Sequence, residues 1–418
     1  MLTKEQNEQL TRVGPGTPMG ELFRRYWLPV AAVSQMKERN TFPVRILGEN
    51  LVLYRDLSGS YGLMGSVCPH RKMGMIYGIP QEQGLRCAYH GWAFDRSGRC
   101  IEQPYDDTED PDGRFRDKVK ISAYPVEEMG GFLFAYLGPK PEPLLPRWDL
   151  YVMEDVLRDI GYAEIPCNWL QIMENSLDPV HVEWLHQNFY NYVLDHVDKG
   201  RPKRAPQRHQ KIGFDRFEYG IVKRRILVGE TEEDDDWKTG HPVVFPNMLR
   251  QGVVHRSGAG FQIRIPIDDT HTAHWWYRCY LKPGNEQKPE DIPFYDVPVP
   301  GPADNGEARW KFMDNNSGQD IVAWITQGPI TDRTTETLSR SDKGIIMYRR
   351  MLEEQIGIME SGRDPINVFR DPAKNVYLHL PTEESFLAGL AYGTKHLTGA
   401  TTKYSPILKE LEEAEGKS

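Results

Sequence analysis

The chain has 418 residues, 39% of them hydrophobic and 27% charged, and a net charge of −9; its pI is about 5.8 and its mean hydropathy −0.59. This composition excludes a disordered or membrane-spanning chain, and the acidic balance argues against a general nucleic-acid surface, which needs basic patches. At roughly 150 residues per domain, one large domain and one smaller one are expected.

Residues Met1 to Glu8 carry no basic stretch leading into an apolar one, and no run of about 18 apolar residues occurs, so a cytoplasmic protein with no membrane contact is expected. Residues 1–40 are read as an N-terminal segment packed on the larger domain. From Phe42 to Tyr136 the chain runs in short alternating stretches such as Val44 to Leu47 and Leu51 to Tyr54, broken by Gly, Pro or Asn, which reads as a small all-β domain. Four prolines between Gly138 and Trp148 read as a connector, placing the small domain at 41–148 and the larger one at 149–418.

Cys68, Cys87, Cys100, Cys167 and Cys279 are too few, and odd in number, for a disulfide framework, which points to metal or redox chemistry. Cys68-Pro69-His70 is followed, after 16 intervening residues, by Cys87-Ala88-Tyr89-His90, so each of two loops offers one thiolate and one imidazole. Zinc accepts the same four ligands, but zinc fingers pair Cys with Cys and His with His; mixed loops suit a two-iron cluster with thiolates on one iron and imidazoles on the other.

Beyond the connector, residues Trp169 to Phe189 read as helical. They contain Asn175, Asp178, Pro179, His181 and His186. On an ideal helix His181 and His186 lie about 140° apart, so both face one ion only if the helix is distorted or ends between them; Pro179 is a source of distortion. The acidic run Glu230 to Asp236 reads as a solvated loop. Gln210 to Ile267 and the aromatic-rich His274 to Leu281 read as an antiparallel sheet, 282–309 as a long loop, and a last helix is expected from an N-cap at Ser341 to about Met359. The fold class is α+β.

The Cys-x-His and Cys-x2-His pair resembles the Rieske [2Fe-2S] proteins, and with Asp178-x2-His181-x4-His186 the whole chain resembles the Rieske non-haem iron oxygenases. The resemblance implies that Cys68, His70, Cys87 and His90 hold a [2Fe-2S] cluster, and that His181, His186 and a later carboxylate hold a mononuclear Fe(II). Asp320, about 140 residues after His181 and at the start of an apolar helical run, matches that carboxylate best, with Asp314 its competitor. A larger domain of helix-grip type is implied too. Asp178 is implied to accept a hydrogen bond from His181 and to reach toward His90 of a neighbouring subunit, with Asn175 a further hydrogen-bonding neighbour. Head-to-tail homotrimers or stacked trimers follow.

The opening from Thr11 to Gly20, with Arg24 to Trp27, resembles the phthalate dioxygenase branch, and the Met173 to Pro179 segment resembles aryl O-demethylases. The implied function is a terminal oxygenase that uses O2 and electrons from an NAD(P)H-dependent reductase, with or without a ferredoxin, to O-demethylate a methoxyaryl acid. No dinucleotide fingerprint occurs in the chain, so the reductase is a separate protein. The alternatives are cis-dihydroxylation of an aryl carboxylate and, in a different class, an electron carrier with no oxygenase activity. A carboxylate substrate needs a cation or amide in an apolar pocket. Asn247, Arg250, His255 and Arg264 are the candidates, with Trp310 and Trp324 as possible walls and Arg201, Lys203, Arg204 and Arg208 as a possible anionic gate.

Overall fold

The computed structural model describes residues 1–252, 259–301, 306–381, 401–407 and 409. His255 lies outside them. Thr3 accepts a hydrogen bond from the Gln6 N–H while Gln6 reaches back to the Thr3 N–H, a reciprocal cap that starts the helix Lys4–Thr11. Thr17 and Pro18 start Pro18–Phe23. Both helices pack on the long helix Lys343–Glu360 of the larger domain. Trp27–Ala32, however, is buried along its whole length and pairs with Phe132–Tyr136, which pairs with Val126–Met129. The N-terminal segment is therefore divided: its helices lie on the larger domain, and its strand, apolar on both faces, joins a sheet with strands of the small one.

Two four-stranded sheets complete the small β-rich region. One orders Thr41–Ile46, Glu49–Arg55, Tyr61–Gly65 and Ala123–Tyr124; the other orders Ile79–Gln81, Gly84–Arg86, Ala93–Phe94 and Cys100–Glu102. Val52, Tyr54, Met64, Leu85, Trp92 and Phe94 form their shared core, with Cys68 and Cys87 inside it. The proline-rich connector is held in place rather than free. Trp27 donates its indole N–H to Pro143 O at 2.8 Å, Asn375 donates to Leu145 O at 2.9 Å, and isolated bridges join Leu144 to Phe369 and Trp148 to Leu378.

The larger region is built on eight strands in the order His209–Phe217, Gly220–Leu227, His241–Val244, Met248–Gln251, Ala259–Pro266, Thr272–Leu281, Val156–Ile165 and Phe294–Asp296. All neighbours are antiparallel except the last pair, which is parallel. Residues 282–309, expected as loop, thus supply the edge strand Phe294–Asp296: Tyr295 is buried and the backbone of Val156–Ile165 had a free edge to pair. The centre is covered on both faces, which explains the aromatic density of Thr272–Leu281. Phe261, Ile263, Trp275 and Tyr277 face Phe132 and Tyr151, whereas Trp276 packs with Ile172, Ile321 and Trp324 from two helices on the opposite face.

Three further expectations are corrected. Ser339 caps a 3-10 turn, Arg340–Asp342, so that Asp342 rather than Ser341 is the N-cap of Lys343–Glu360. The acidic run is not wholly solvated: Asp236 is buried and its carboxylate meets Arg225 Nε at 2.7 Å. The helical stretch is broken after Ser176, resumes at His181, and continues past Phe189 to Val197. Among the described residues no helix is long and apolar enough to cross a membrane.

Candidate active site

The two cysteine loops are built alike. Cys68 N–H donates to Met73 O at 2.8 Å and Cys68 O accepts from Lys72 N–H at 3.0 Å; Cys87 N–H donates to Trp92 O at 2.8 Å and Cys87 O accepts from Gly91 N–H at 3.1 Å. Each turn has a left-handed residue at the same place, Lys72 (φ 62°) and Gly91 (φ 75°). At Gly91 a Cβ would meet the Pro104 ring at 2.9 Å, which reserves that position for glycine. The cysteines are buried and the histidines exposed. The His70 and His90 rings lie 4.5 Å apart, and His70 stacks on Trp92 at 4.3 Å. Burial pushes the Cys68 thiol up to about 11, the His70 N–H partly opposes this, and the adjacent Cys87 thiol adds to it. A metal must displace these protons to bind.

Four ligands around one tetrahedral zinc would stand roughly 3.5 Å apart. Among the described residues, however, these four do not form a group with ligand atoms within 4.8 Å of one another. Buried thiols beneath exposed imidazoles, spread more widely than one ion spans, fit a cluster of two irons.

The group that does converge is His181, His186 and Asp320. Asp320 Oδ1 lies 3.2 Å from His186 Nε2 and 3.8 Å from His181 Nε2, and the imidazole centroids are 5.1 Å apart at 81°. Adjacent ligands about 2.1 Å from one ion stand about 3.0 Å apart, so the donor set of two imidazoles and one carboxylate fits a single Fe(II) with one face left open. The distortion expected between the histidines is a π-helical turn, Trp184–Phe189, preceded by the break at Leu177 to Val180. In a π turn residues five apart return to one side, which removes the 140° mismatch. Asp320 comes from the helix Asn316–Ile325, started by Asn315, whose side chain accepts from Gly318 N–H at 2.9 Å.

Burial pushes the Asp320 carboxyl up, but His186, then His181 and the Asn175 amide outweigh it and hold it below the usual range. Asn175 Nδ2 donates to Asp320 Oδ1 at 3.4 Å. Asp178 Oδ1 accepts the backbone N–H groups of Val180 (2.9 Å) and His181 (3.3 Å), whereas its Oδ2 is 3.7 Å from His181 Nδ1, too long for the side-chain hydrogen bond that was expected. The competitor Asp314 is engaged elsewhere, with Arg201 Nη1 at 3.2 Å and with Lys403.

Of the substrate candidates, Asn247 donates to Arg264 O at 2.8 Å, and Arg250 donates to Gln251 O and Gly252 O and lies 3.6 Å from Asp149. Both support local backbone. Trp324 is core, stacked on His274 at 5.3 Å; Trp310 stacks on His196 at 4.4 Å. Three members of the basic cluster are engaged within the chain: Arg201 meets Asp314, Lys203 meets Asp195 in an exposed pair, and Arg204 donates to His186 O (2.6 Å) and Asn316 Oδ1 (2.7 Å). Two clefts, the larger about 460 Å³, lie on the sheet face opposite the converging triad and are not part of this site. Gln319, next to Asp320, has its Oε1 2.9 Å from His186 Nδ1. Sequence reasoning missed it, because a glutamine beside a ligand carries no spacing signal.

Comparison with known proteins agrees with both centres. Residues 26–125 match the family Rieske [2Fe-2S] domain and residues 311–378 match LigXa C-terminal domain like. The chain is 44% identical to the 5,5'-dehydrodivanillate O-demethylase oxygenase subunit of Sphingobium sp. (strain NBRC 103272 / SYK-6), over 91% of this chain and 87% of that one. It is 31% identical to the phthalate 4,5-dioxygenase oxygenase subunit of Pseudomonas putida, over 88% and 89%. In fold it is similar to Pseudomonas putida CBB5 NdmA (TM-score 0.59, 19% identity, 82% of this chain and 93% of that chain). With a Rieske [2Fe-2S] cluster and a mononuclear iron implied together, the electron-carrier reading falls away, and the chain belongs to the Rieske non-haem iron oxygenases, as the oxygenase component of a multicomponent enzyme.

Proposed function

We propose that the chain O-demethylates a methoxyaryl acid, with His181, His186 and Asp320 holding the mononuclear iron and Cys68, His70, Cys87 and His90 the cluster. The observation that carries the reading is the convergence of the triad in a chain 44% identical to an aryl O-demethylase oxygenase subunit. The bound centres supply oxygen activation at an open metal face and one-electron transfer. The balance is ArOCH3 + O2 + 2 electrons + 2 H+ giving ArOCH2OH and water; the hemiacetal then collapses to phenol and formaldehyde. NAD(P)H, through a separate reductase with or without a ferredoxin, provides the electrons in the cytoplasm.

Arg264 is the best candidate to meet the substrate's carboxylate. It sits on the sheet face that carries His274; among the described residues its guanidinium bonds only to Gln262, its Nε has no hydrogen-bond partner, and no carboxylate lies within ion-pair distance. Burial pulls its pKa down to about 9, with the charge of Asp320 opposing that; the guanidinium stays protonated at neutral pH, and an incoming anion would offset the desolvation of its charge.

Homotrimers are favoured by what one chain leaves uncovered. Asp178 is 28% exposed and Trp184 71%, while His70 and His90 are exposed too, which leaves a second copy free to bring its His90 to Asp178. Asp178→Ala is expected to keep all iron yet lose at least about ten- to hundred-fold in turnover. Unimpaired turnover would remove this bridge.

Turnover under air with NADH and a surrogate reductase, offered methoxyaryl and phthalate-type acids in parallel, tests the reaction. Formaldehyde with the matching phenol is expected. A cis-dihydrodiol would instead favour dihydroxylation, the reading suggested by the 31% identical phthalate enzyme.

A further inference from the structure

We infer that Gln319 fixes which nitrogen of His186 faces the iron of the mononuclear site. The inference rests on the triad holding the metal, as proposed above.

Gln319 is fully buried. Its Nε2 donates to Met313 O at 2.8 Å, and its Oε1 lies 2.9 Å from His186 Nδ1. A backbone carbonyl only accepts, so the amino end of the amide must face Met313 and the oxygen must face His186; the flipped amide would set two oxygens against each other. An amide oxygen in turn only accepts, so His186 Nδ1 carries a proton. In the neutral imidazole the lone pair is then on Nε2, and it points at Asp320 Oδ1, 3.2 Å away. Gln319 therefore prepares one metal-binding nitrogen before any metal arrives. Arg204 adds a further restraint by holding the His186 carbonyl at 2.6 Å.

The test measures retention of mononuclear Fe(II) by the holoenzyme against increasing chelator, with cluster absorbance and melting midpoint as folding checks. Gln319→Met removes both hydrogen bonds at similar volume and is expected to weaken retention about ten- to hundred-fold. Gln319→Glu keeps an acceptor for His186 Nδ1–H and is expected to stay within about three-fold of the natural protein. Natural retention in Gln319→Met overturns the inference. So does equal loss in both variants, because the contact with Met313, not the tautomer, would then be what matters. If Gln319→Met does not fold, loss of retention in folded Gln319→Glu overturns it alone. His186→Ala separates the two levels: if that variant keeps the third iron, the triad assignment itself is wrong.

Discussion

Asp320→Ala is expected to lower iron from about three atoms per chain to about two, leaving cluster absorbance unchanged. The expectation follows from the donor set: two imidazole nitrogens and one carboxylate oxygen converge, and the carboxylate is the one anionic donor among them. Without it the two histidines form a weak bidentate site, and Asn175, which donates to Asp320, loses its partner. Turnover should fall by more than about a thousand-fold, since loss of the metal removes several kcal/mol of assistance. Asp314→Ala is the control. Its carboxylate is committed to Arg201 and Lys403, so that variant should keep the third iron. Iron analysis of the two purified variants decides the matter, and a third iron retained in Asp320→Ala would sink the assignment.

Glu174→Ala is expected to have the largest effect on stability. Glu174, one residue before Asn175, takes Arg333 Nη2 at 2.8 Å and Arg349 Nε at 2.7 Å, while Glu336 takes the other end of Arg349. The four formal charges cancel. Arg333 is fully buried, and without Glu174 its remaining partners, Asn7 Oδ1 and Thr331 O, are neutral. An unpaired buried guanidinium costs roughly 3–5 kcal/mol, read as a lower urea midpoint at constant m. Glu174→Gln, which keeps an acceptor, should lose less. A midpoint within error of the natural protein for Glu174→Ala would refute this account. Burial pushes the Glu174 carboxyl up, but Arg333 and then Arg349 outweigh it and hold it below the usual range. A depressed folded pKa stabilises the protein above the unfolded value, about 4.3, and that stabilisation is lost as pH falls through the folded value. Glu174→Gln should therefore show a shallower acid limb than the natural protein.

Glu174 also shows how the N-terminal segment is tied to the site. Asn7, in the first helix, accepts from the same Arg333 that Glu174 holds, and Asn168, which caps the helix Trp169–Ser176, donates to Thr11 O at 2.9 Å. The helix that leads into Asn175 and Asp178 is thus clamped at both ends by contacts more than 150 residues apart in sequence.

The amino-acid sequence alone determined whatever depends on neighbours in the chain. Two mixed Cys and His loops and the Asp178 to His186 spacing were legible because each set of side chains is carried by one short stretch of backbone. Strand alternation around Phe261 to Ile265 was legible because the pleat has period 2. The tertiary structure decided the pairings between distant segments. It showed that the 282–309 stretch supplies an edge strand, that Asp236 is buried against Arg225, and that Arg201 and Arg204 are engaged by Asp314 and Asn316 rather than forming an open anionic gate. It also brought Asp320, and not Asp314, to the two histidines, with Gln319 behind one of them. The physical reason is common to all of these. A spacing rule constrains residues on one continuous backbone, whereas the partner of a buried charge or polar group is chosen by packing, among groups that have no fixed separation in sequence.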